Sequence, residues 1–367
     1  MQVSVPLALL ELSDSMSLTA LATGGATFLD AVGTLAGAWL TERYGNRRVL
    51  TASTLVRAAS LGTAAALSLA GVLTVPVLVA AVLVEGLARG VADTAQSTVP
   101  QSIARGDADA LRHIYRRYHG TVEFGAIVGP LLVGTLILAA GMGWAAALAP
   151  AAFLVAATIY RRLPSDTQTE HGPEAPEKLG FKGALSIPWV RLALLATAFL
   201  TLYPLKGLLP AIFAEEALHS PPAAAWLAVL FGVGGFAGSY VSVHAWKRLG
   251  LGPLLALAAL GSVILGLAWL PGAFLPAAVG VLLFSASNVV ARVALSSELV
   301  TRYGASAPTV MGLTRFTVNA SAIVVRMAVA LAFALTASVM GGFTALAVGI
   351  AVVAAGLLWV GLRLSRR

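Results

Sequence analysis

The residues best suited to chemistry in this sequence are ionisable side chains set within long apolar stretches. Glu85, Arg89 and Asp93 recur at four-residue intervals in the stretch 73–96, so on a helix they share one face. A carboxylate whose affinity for a proton depends on a neighbouring arginine and on local hydration could take up and release protons. The same stripe could instead be a static ladder of ion pairs that holds the helix in place.

The other acids within apolar stretches extend the set of candidates. Asp30 and Glu123 each lie in such a stretch, and each could instead neutralise Arg57 or Arg89. Ionisable residues within membrane-spanning segments are costly and usually mark a pathway or a structural pair. The candidates for proton coupling are therefore Glu85, Asp30, Glu123 and Asp93.

The second half of the chain has cations within its apolar stretches but no central acid. By their spacing, Asn288 and Arg292 share a helix face with Ser285, and Arg315 and Asn319 share another with Arg326. Two interpretations stay open: these cations meet the acids of the first half across a cavity, or they bind an anionic group of a substrate. The substrate-cavity candidates are Arg89, Lys206, Asn288, Arg292, Arg315 and Asn319.

Long apolar helices must position these side chains. The 367 residues are 58% hydrophobic and 11% charged, and the mean hydropathy is +0.88. A helix needs about 20 apolar residues to cross a bilayer, and continuous runs of that length form helices rather than barrel strands. The sequence predicts an all-α membrane protein with a fragment, Val3–Leu12, and eleven spans, roughly 17–40, 49–70, 73–96, 118–140, 142–163, 186–212, 222–245, 251–271, 273–300, 307–337 and 340–362.

The basic residues indicate how these spans are oriented. When the loop at 41–48 is placed in the cytoplasm and the sides alternate, 18 of the 24 Lys and Arg residues fall in cytoplasmic segments and the opposite loops contain none. This distribution obeys the positive-inside rule, so the central loop and the C-terminus are predicted to be cytoplasmic. The net charge of +8 then reflects juxtamembrane arginine, and no nucleic-acid partner is expected.

The composition argues against a metal site and against an enzyme. The chain has no cysteine, its five histidines are scattered, and it lacks an HExxH motif, so neither thiolate nor histidine clusters are available to bind a metal. A membrane-embedded enzyme would need a nucleophile with a nearby base or a metal cluster, and none is visible. No cofactor is predicted.

The chain divides into two halves that resemble repeats of each other. The polar stretch 164–185 predicts a cytoplasmic linker between an N-terminal bundle at 1–163 and a C-terminal bundle at 186–367. Glu42-Arg43-Tyr44-Gly45 is matched 205 residues later by Lys247-Arg248-Leu249-Gly250. Applying the same offset to the span that begins near Ser186 predicts that the first helix lacks about 20 residues. The alternative is that residues 1–16 form a segment at the outer surface.

A loop between two spans carries a recognisable motif. The sequence Ala38-Trp-Leu-Thr-Glu-Arg-Tyr-Gly-Asn-Arg-Arg48 resembles the G-x-L-x-D-R-x-G-R-R signature of major facilitator superfamily transporters. It differs from the signature at three positions, where Ala38 replaces Gly, Glu42 replaces Asp and Asn46 replaces Arg. The signature residues here are Glu42, Arg43, Gly45, Arg47 and Arg48. Independently of the resemblance, the arginines can bind lipid phosphates or the C-terminal end of a helix, and Gly45 permits a tight turn. The loop is expected to latch the two halves on the cytoplasmic side.

A second motif is similar to one associated with antiporters of the same superfamily. That motif reads G-x-x-x-G-P-x-x-G-G, and the matching residues are Gly125, Gly129, Pro130 and Gly134, with Val133 in place of the penultimate glycine. The fourth-helix arginine motif of drug antiporters is only approximated, by Arg89-Gly90.

The resemblance implies a fold and a function. The fold would consist of two six-helix bundles, the first helix incomplete, related by a pseudo-two-fold axis. The protein would be a monomer in a bacterial inner membrane that exports a small amphipathic molecule, such as a drug, siderophore or secondary metabolite, against proton uptake. Its partners would be this substrate, protons and membrane lipids. An importer of the same fold and a non-transporting sensor or scaffold are the alternatives.

Overall fold

The chain folds into a series of long helices. A computed structural model describes residues 16–104, 107–140, 142–163, 179–202, 209–210, 212–303, 306–336 and 338–365. The helices are α1 (Met16–Tyr44), α2 (Asn46–Leu69), α3 (Val75–Ala104), α4 (Ala108–Ala140), α5 (Met142–Tyr160), α6 (Phe181–Ser186), α7 (Pro188–Leu200), α8 (Pro221–Leu249), α9 (Leu251–Ala268), α10 (Phe274–Arg302), α11 (Ala307–Leu335) and α12 (Val339–Ser365), with a π-helical turn at Phe213–Ala217.

The prediction of an all-helical membrane protein is confirmed. No strand occurs in the part of the chain that the structure describes. Within that part, seven helices are long and apolar enough to cross a membrane: Asn46–Leu69, Val75–Ala104, Trp226–Leu249, Leu251–Ala268, Phe274–Arg302, Ala307–Phe333 and Met340–Ser365. The predicted fragment Val3–Leu12 lies outside the described residues.

Glycines allow α1 and α3 to approach each other with backbones in contact. A methyl group on Gly33 of α1 would collide with the carbonyl oxygen of Leu87, and one on Gly90 of α3 would collide with the carbonyl oxygen of Asp30. Thr94 Oγ1 donates a hydrogen bond of 2.9 Å across the contact to the Thr34 carbonyl oxygen. We call this contact the α1–α3 seam. Small residues at such positions allow helices in a membrane to gain close van der Waals packing.

The second half of the chain repeats this arrangement between α8 and α10. A methyl group on Gly238 would collide with the carbonyl oxygen of Ala286, and Gly238 lies 205 residues after Gly33. Gly234 similarly faces the carbonyl oxygen of Leu282, and Ser285 Oγ donates a 2.5 Å hydrogen bond to the Phe231 carbonyl oxygen. The offset of 205 residues therefore relates the α1 side of one close helix contact to the α8 side of the other.

The two motif turns are equivalent as well. Gly45 separates α1 from α2 with φ of 80°, and Gly250 separates α8 from α9 with φ of 76°. Both values lie in the left-handed region, which a residue with a Cβ adopts only at a cost. The expected tight turn at Gly45 is therefore present, and its repeat at Gly250 has the same geometry.

One predicted span, 186–212, is not a continuous helix. α7 ends at Leu200, where Thr201 leaves the helical region with ψ of 49°. A helix continuing past this point would require the nitrogen of residue 204 to donate to the Leu200 carbonyl oxygen. Residue 204 is proline, which has no N–H to donate. Asn288 Nδ2 on α10 donates to that carbonyl oxygen instead, at 2.9 Å, so the break leaves no unsatisfied acceptor there.

The helices cluster into two compact units. Unit 1 comprises the described residues of 1–102, 129–181 and 305–320, and unit 2 comprises those of 103–128, 182–304 and 321–367. The first part of α4 therefore packs within unit 2, and the first part of α11 packs within unit 1. The predicted boundary between the two halves at 164–185 stays a prediction, and residues 164–178 lie outside the described residues.

Replacing Gly33 with alanine tests the α1–α3 seam. The added methyl group would push α1 away from Leu87 and Gly90, and overpacking of this kind costs about 1–3 kcal/mol. We expect Gly33→Ala to lower the melting temperature of the purified protein in detergent. The matched control is Gly24→Ala on the same helix, where an added methyl group meets nothing within 4 Å. It should be neutral or slightly stabilising, and equal effects of the two variants would contradict a close seam.

Candidate functional site

The α1–α3 seam brings an acid and a base together inside unit 1. Arg89 Nε donates to Asp30 Oδ2 at 2.9 Å, and Arg89 Nη1 lies 3.7 Å from Glu85 Oε2. Asp30 and Glu85 are both 6% exposed. Because Gly90, next to Arg89, faces the backbone of Asp30, the close approach of the two helices places the short aspartate side chain within reach of the guanidinium group.

A second arginine completes the cluster from α2. Arg57 Nη2 lies 2.9 Å from Glu85 Oε1 and Arg57 Nε donates to the same oxygen at 3.2 Å. The guanidinium carbon of Arg57 also stacks over the Phe153 ring of α5 at 4.1 Å from its centroid, a cation–π distance. We call these four ionisable residues, Asp30, Arg57, Glu85 and Arg89, the ion-pair network.

The ion-pair network alternates cations with anions. Along the chain of contacts, Arg57 binds Glu85, Glu85 lies near Arg89, and Arg89 binds Asp30. Two acids and two arginines sum to zero formal charge, which reduces the cost of placing them among apolar helices. Four of the sequence-identified charges are thus brought together, and three of them had been chosen as site residues. Arg57 had been recognised only as a cation that an acid could neutralise.

One carboxylate oxygen in the ion-pair network is free to accept a proton. Asp30 Oδ1 is buried and has no hydrogen-bond partner among the described residues, whereas Asp30 Oδ2 accepts from Arg89. Both oxygens of Glu85 face arginines. A proton can add to Asp30 Oδ1 without breaking an existing hydrogen bond, and burying an unpaired polar atom is itself costly. The geometry therefore favours Asp30 over Glu85 as the position of a transferable proton.

The other two predicted proton carriers are placed differently. Asp93 is half-buried on α3 and forms no salt bridge with the other described residues, although it is close enough to influence Asp30 and Arg89 electrostatically. Glu123 is 4% exposed and belongs to unit 2, where its carboxylate packs against Gly235 of α8. The neutralisation of Arg57 or Arg89 by Glu123 stays a prediction.

The predicted substrate residues of the second half are not gathered into one cluster by the contacts described. Asn288 donates to the end of α7, and Arg292 is half-buried on α10. Arg315 and Asn319 lie on the part of α11 that belongs to unit 1, and Lys206 lies outside the described residues. Their roles in substrate binding stay predictions, and Asn288 in addition has the structural role of satisfying the Leu200 carbonyl group.

The motif at 38–48 contacts the beginning of α11. Thr309 Oγ1 donates a hydrogen bond to Glu42 Oε1, and Gly312 leaves no room for a side chain beside Ala38, whose Cβ would be 2.7 Å from an added methyl group. Glu42 thus lies at the N-terminal end of a helix, where the helix dipole favours an anion. This contact between the first and second halves of the sequence is consistent with the expected latch. Arg43 stacks over Trp39 and Tyr44 at 5.3 and 5.5 Å from their centroids.

The repeat of that motif makes the equivalent contact with opposite charge. Lys247, which lies 205 residues after Glu42, forms a 3.3 Å salt bridge with Asp109 in the first turn of α4, and Asp109 also accepts from Arg112 at 2.7 Å. Arg112 stacks over Trp246 at 4.5 Å. The sequence analysis had noted the repeat but had not assigned Asp109, Lys247 or Thr309 to a site. The offset of 205 residues between the two repeats could have located Lys247 from Glu42.

Asp109 is ionised throughout the physiological pH range. Hydrogen bonds from Arg112 and Lys247 hold the pKa of Asp109 below its ordinary value of 3.8. Because the pKa is lowered in the folded state, the stability that this carboxylate contributes is present above the ordinary value and is lost as the pH falls through the pKa of the folded state.

The antiporter-like motif lies on α4. Added methyl groups at Gly125 and Gly129 would meet no described atom within 4 Å, so among the described residues these two glycines mediate no close helix contact. Pro130 and Gly134 belong to the same helix. Their part in antiport stays a prediction.

The comparisons with known proteins agree with this architecture. The family model of the Major Facilitator Superfamily matches residues 2–325. No curated protein matches the sequence significantly.

Solved structures of transporters are similar over nearly the whole chain. A bacterial homologue of the iron transporter ferroportin, in an outward-facing state, has a TM-score of 0.75 at 18% identity, with 100% of this chain and 95% of that one covered. The proton:xylose symporter XylE has a TM-score of 0.75 at 14% identity, covering 97% and 90%. The fucose:proton symporter FucP of E. coli has a TM-score of 0.70 at 14% identity, covering 97% and 95%. At such identities the likeness concerns the fold alone.

A double-mutant cycle on Arg57 and Glu85 tests whether the ion-pair network is a coupled structural unit. Glu85→Met leaves Arg57 buried without its closest partner, and breaking a buried pair from one side costs about 3–5 kcal/mol. We expect a large fall in melting temperature for each single variant. Arg57→Met combined with Glu85→Met should recover most of the loss, since both charges are removed together.

The matched control is the exposed pair Arg302–Glu298 on α10, which is joined at 2.7 Å. The same methionine substitutions there should cost about 1 kcal/mol or less. Additive effects at Arg57 and Glu85 would contradict a coupled pair.

Removing Glu42 should loosen the contact between α1 and α11. A hydrogen bond to a charged group contributes about 1.5–3 kcal/mol, so its loss should raise the population of opened molecules roughly tenfold or more. The chain contains no cysteine, so Ala307→Cys, at a fully buried position, provides a single reporter. Its labelling by a membrane-impermeant maleimide should be faster with Glu42→Ala. Glu298→Ala is the control, and an unchanged labelling rate with Glu42→Ala would argue against a latch.

Proposed function

Since the chain belongs to the Major Facilitator Superfamily, whose fold it shares with solved membrane transporters, we propose that it is a secondary active transporter that exports a small amphipathic molecule against proton uptake. Drugs, siderophores and secondary metabolites are examples of such substrates. The proposal rests on three features: the ion-pair network, the α1–α11 contact, and the resemblance of Gly125–Gly134 to an antiporter motif.

The observation that carries proton coupling is the unpartnered oxygen of Asp30. A proton on Asp30 Oδ1 would neutralise the anion that Arg89 binds at 2.9 Å, and the attraction between them would weaken accordingly. Arg89 has a second acid, Glu85, 3.7 Å away. Protonation of Asp30 would therefore shift Arg89 toward Glu85 and release the charge contact between α1 and α3.

This shift would act on a helix contact rather than on a loop. Asp30 and Arg89 flank the α1–α3 seam, whose glycines leave no slack between the two backbones. A change in the charge contact is therefore transmitted to helices that pack rigidly, as alternating access by rocking bundles requires. Glu85 would mainly form the salt bridge with Arg57, and it would bind Arg89 once Arg89 leaves Asp30. The charge of Asp93 would change the electrostatic potential at Asp30 and Arg89.

The remaining partners and the location follow from the charges of the loops. We place the protein in a bacterial inner membrane as a monomer, with the central loop and C-terminus in the cytoplasm. The basic motif loop would contact membrane lipids, and the cations Arg292 and Arg315 would face either the acids of the first half or an anionic group of the substrate.

Replacing Asp30 with asparagine tests this function. Cells that express the chain should accumulate less of at least one compound from a panel of cationic dyes, antibiotics and siderophores, and a protonophore should abolish the difference. We expect Asp30→Asn to raise accumulation to the level of cells without the protein, because asparagine keeps an oxygen for Arg89 but cannot take up a proton. Folded yield in detergent should stay comparable.

The control is Asp93→Asn, a neighbouring acid without a salt bridge to the other described residues, which should retain most of the export. If Asp93→Asn abolished export while Asp30→Asn left it normal, the residue that takes up the proton would be Asp93 rather than Asp30. Higher accumulation in expressing cells would show import, and no change for any compound would favour a sensor or scaffold.

A further inference from the structure

A groove in unit 1 is not used by the proposed transport cycle. It has a volume of about 390 Å³ and is lined by residues of α1, α2 and α3. Its long side is formed by Val56 of α2 and by Val84 and Leu87 of α3. Small residues, Ala52 and Ala88 among them, leave the space between these helices open.

The groove faces the apolar environment of the membrane. Val56 and Val84 are each 45% exposed and Leu87 is 39% exposed, and they lie on the two helices Asn46–Leu69 and Val75–Ala104, which are apolar enough to span a bilayer. Exposed apolar side chains on such helices contact lipid tails rather than water. A long, narrow, apolar space of this kind matches an acyl chain.

The end of the groove near the α1–α2 turn is polar and positively charged. Arg48 and Tyr44 line it there. Arg48 is exposed and forms no salt bridge or side-chain hydrogen bond with the other described residues. Tyr44, 45% exposed, and Trp39, 52% exposed, are aromatic residues of the kind that concentrate at the membrane–water interface.

The one acid of the same turn is already engaged. Glu42 accepts a hydrogen bond from Thr309, whereas Arg43 stacks on Trp39 and Tyr44. The cationic charge of Arg48 is therefore not compensated locally, and it lies at the level where lipid headgroups begin. Basic residues on the side of the membrane predicted to be cytoplasmic attract anionic phospholipids.

We propose that this groove binds one anionic phospholipid, with an acyl chain along Val56, Val84 and Leu87 and the phosphate on Arg48. The bound lipid would lie beside the ion-pair network, because Val56 precedes Arg57 and Val84 precedes Glu85 in the sequence. It would also stabilise the turn that holds Glu42 against α11. The site is independent of the direction of transport and of the identity of the transported molecule.

Native mass spectrometry of the full chain extracted from vesicles tests the proposal. With equal amounts of phosphatidylglycerol and phosphatidylcholine of identical chains, we expect one phosphatidylglycerol molecule to be retained selectively. Arg48→Ala should reduce this adduct about tenfold by removing the phosphate contact. Ala52→Phe should reduce it similarly by filling the groove while leaving Arg48 in place.

Two matched controls separate the groove from general lipid adhesion. Arg363→Ala removes an exposed arginine at the end of α12, and Ala59→Phe adds the same bulk at an exposed position of α2 that does not line the groove. Both should keep the adduct. Equal retention of phosphatidylcholine, or an adduct that none of the four variants changes, would overturn the proposal. Loss of the adduct in all four would overturn it as well, since only two of them alter the groove.

Discussion

The cost of placing ionised groups among apolar helices constrains this structure more than any other factor. Among the described residues, Asp30, Arg57, Glu85 and Arg89 form their salt bridges with one another, and a bilayer offers no water to solvate them. The shortest of these side chains, Asp30, reaches Arg89 only because α1 and α3 approach through Gly33 and Gly90. The glycine contact is therefore a condition for the Asp30–Arg89 pair, whereas the Arg57–Glu85 pair joins α2 to α3 and does not depend on it.

The two halves of the chain use the same helix contact for different purposes. The α8–α10 contact has a glycine, Gly238, at the position equivalent to Gly33 and a second glycine at Gly234, but the neutral hydrogen bond of Ser285 crosses it in place of an ion pair. Asn288 satisfies a carbonyl group at the broken end of α7. Both contacts therefore use close glycine packing, and the salt bridges of the ion-pair network lie beside the one in the first half.

The sequence predicted the helices and the identity of the charges well, because both depend on local composition. The i, i+4 spacing correctly placed Glu85 and Arg89 on one face of α3, but it suggested that they are each other's main partners. In the structure the shorter contacts come from Asp30 and Arg57 on other helices, at 2.9 Å against 3.7 Å. Spacing along one helix carries no information on which side chains a neighbouring helix brings closer. The end of α7 at Leu200 was missed because the apolar composition continues past Pro204. Proline has no N–H to donate to the Leu200 carbonyl oxygen, so the helical hydrogen bond cannot form there.

The contacts at the helix ends and the buried ion-pair network have different chemical partners. Glu42 contacts α11 through the neutral hydroxyl of Thr309, and the equivalent Lys247 contacts α4 through Asp109, whose lowered pKa keeps it ionised across the physiological range. Among the described residues of the ion-pair network, Asp30 is the acid with an oxygen that lacks a hydrogen-bond partner. In the proposed transport cycle, a movement that begins at Asp30 would reach the Glu42–Thr309 contact along α1, because both acids lie on this single continuous helix.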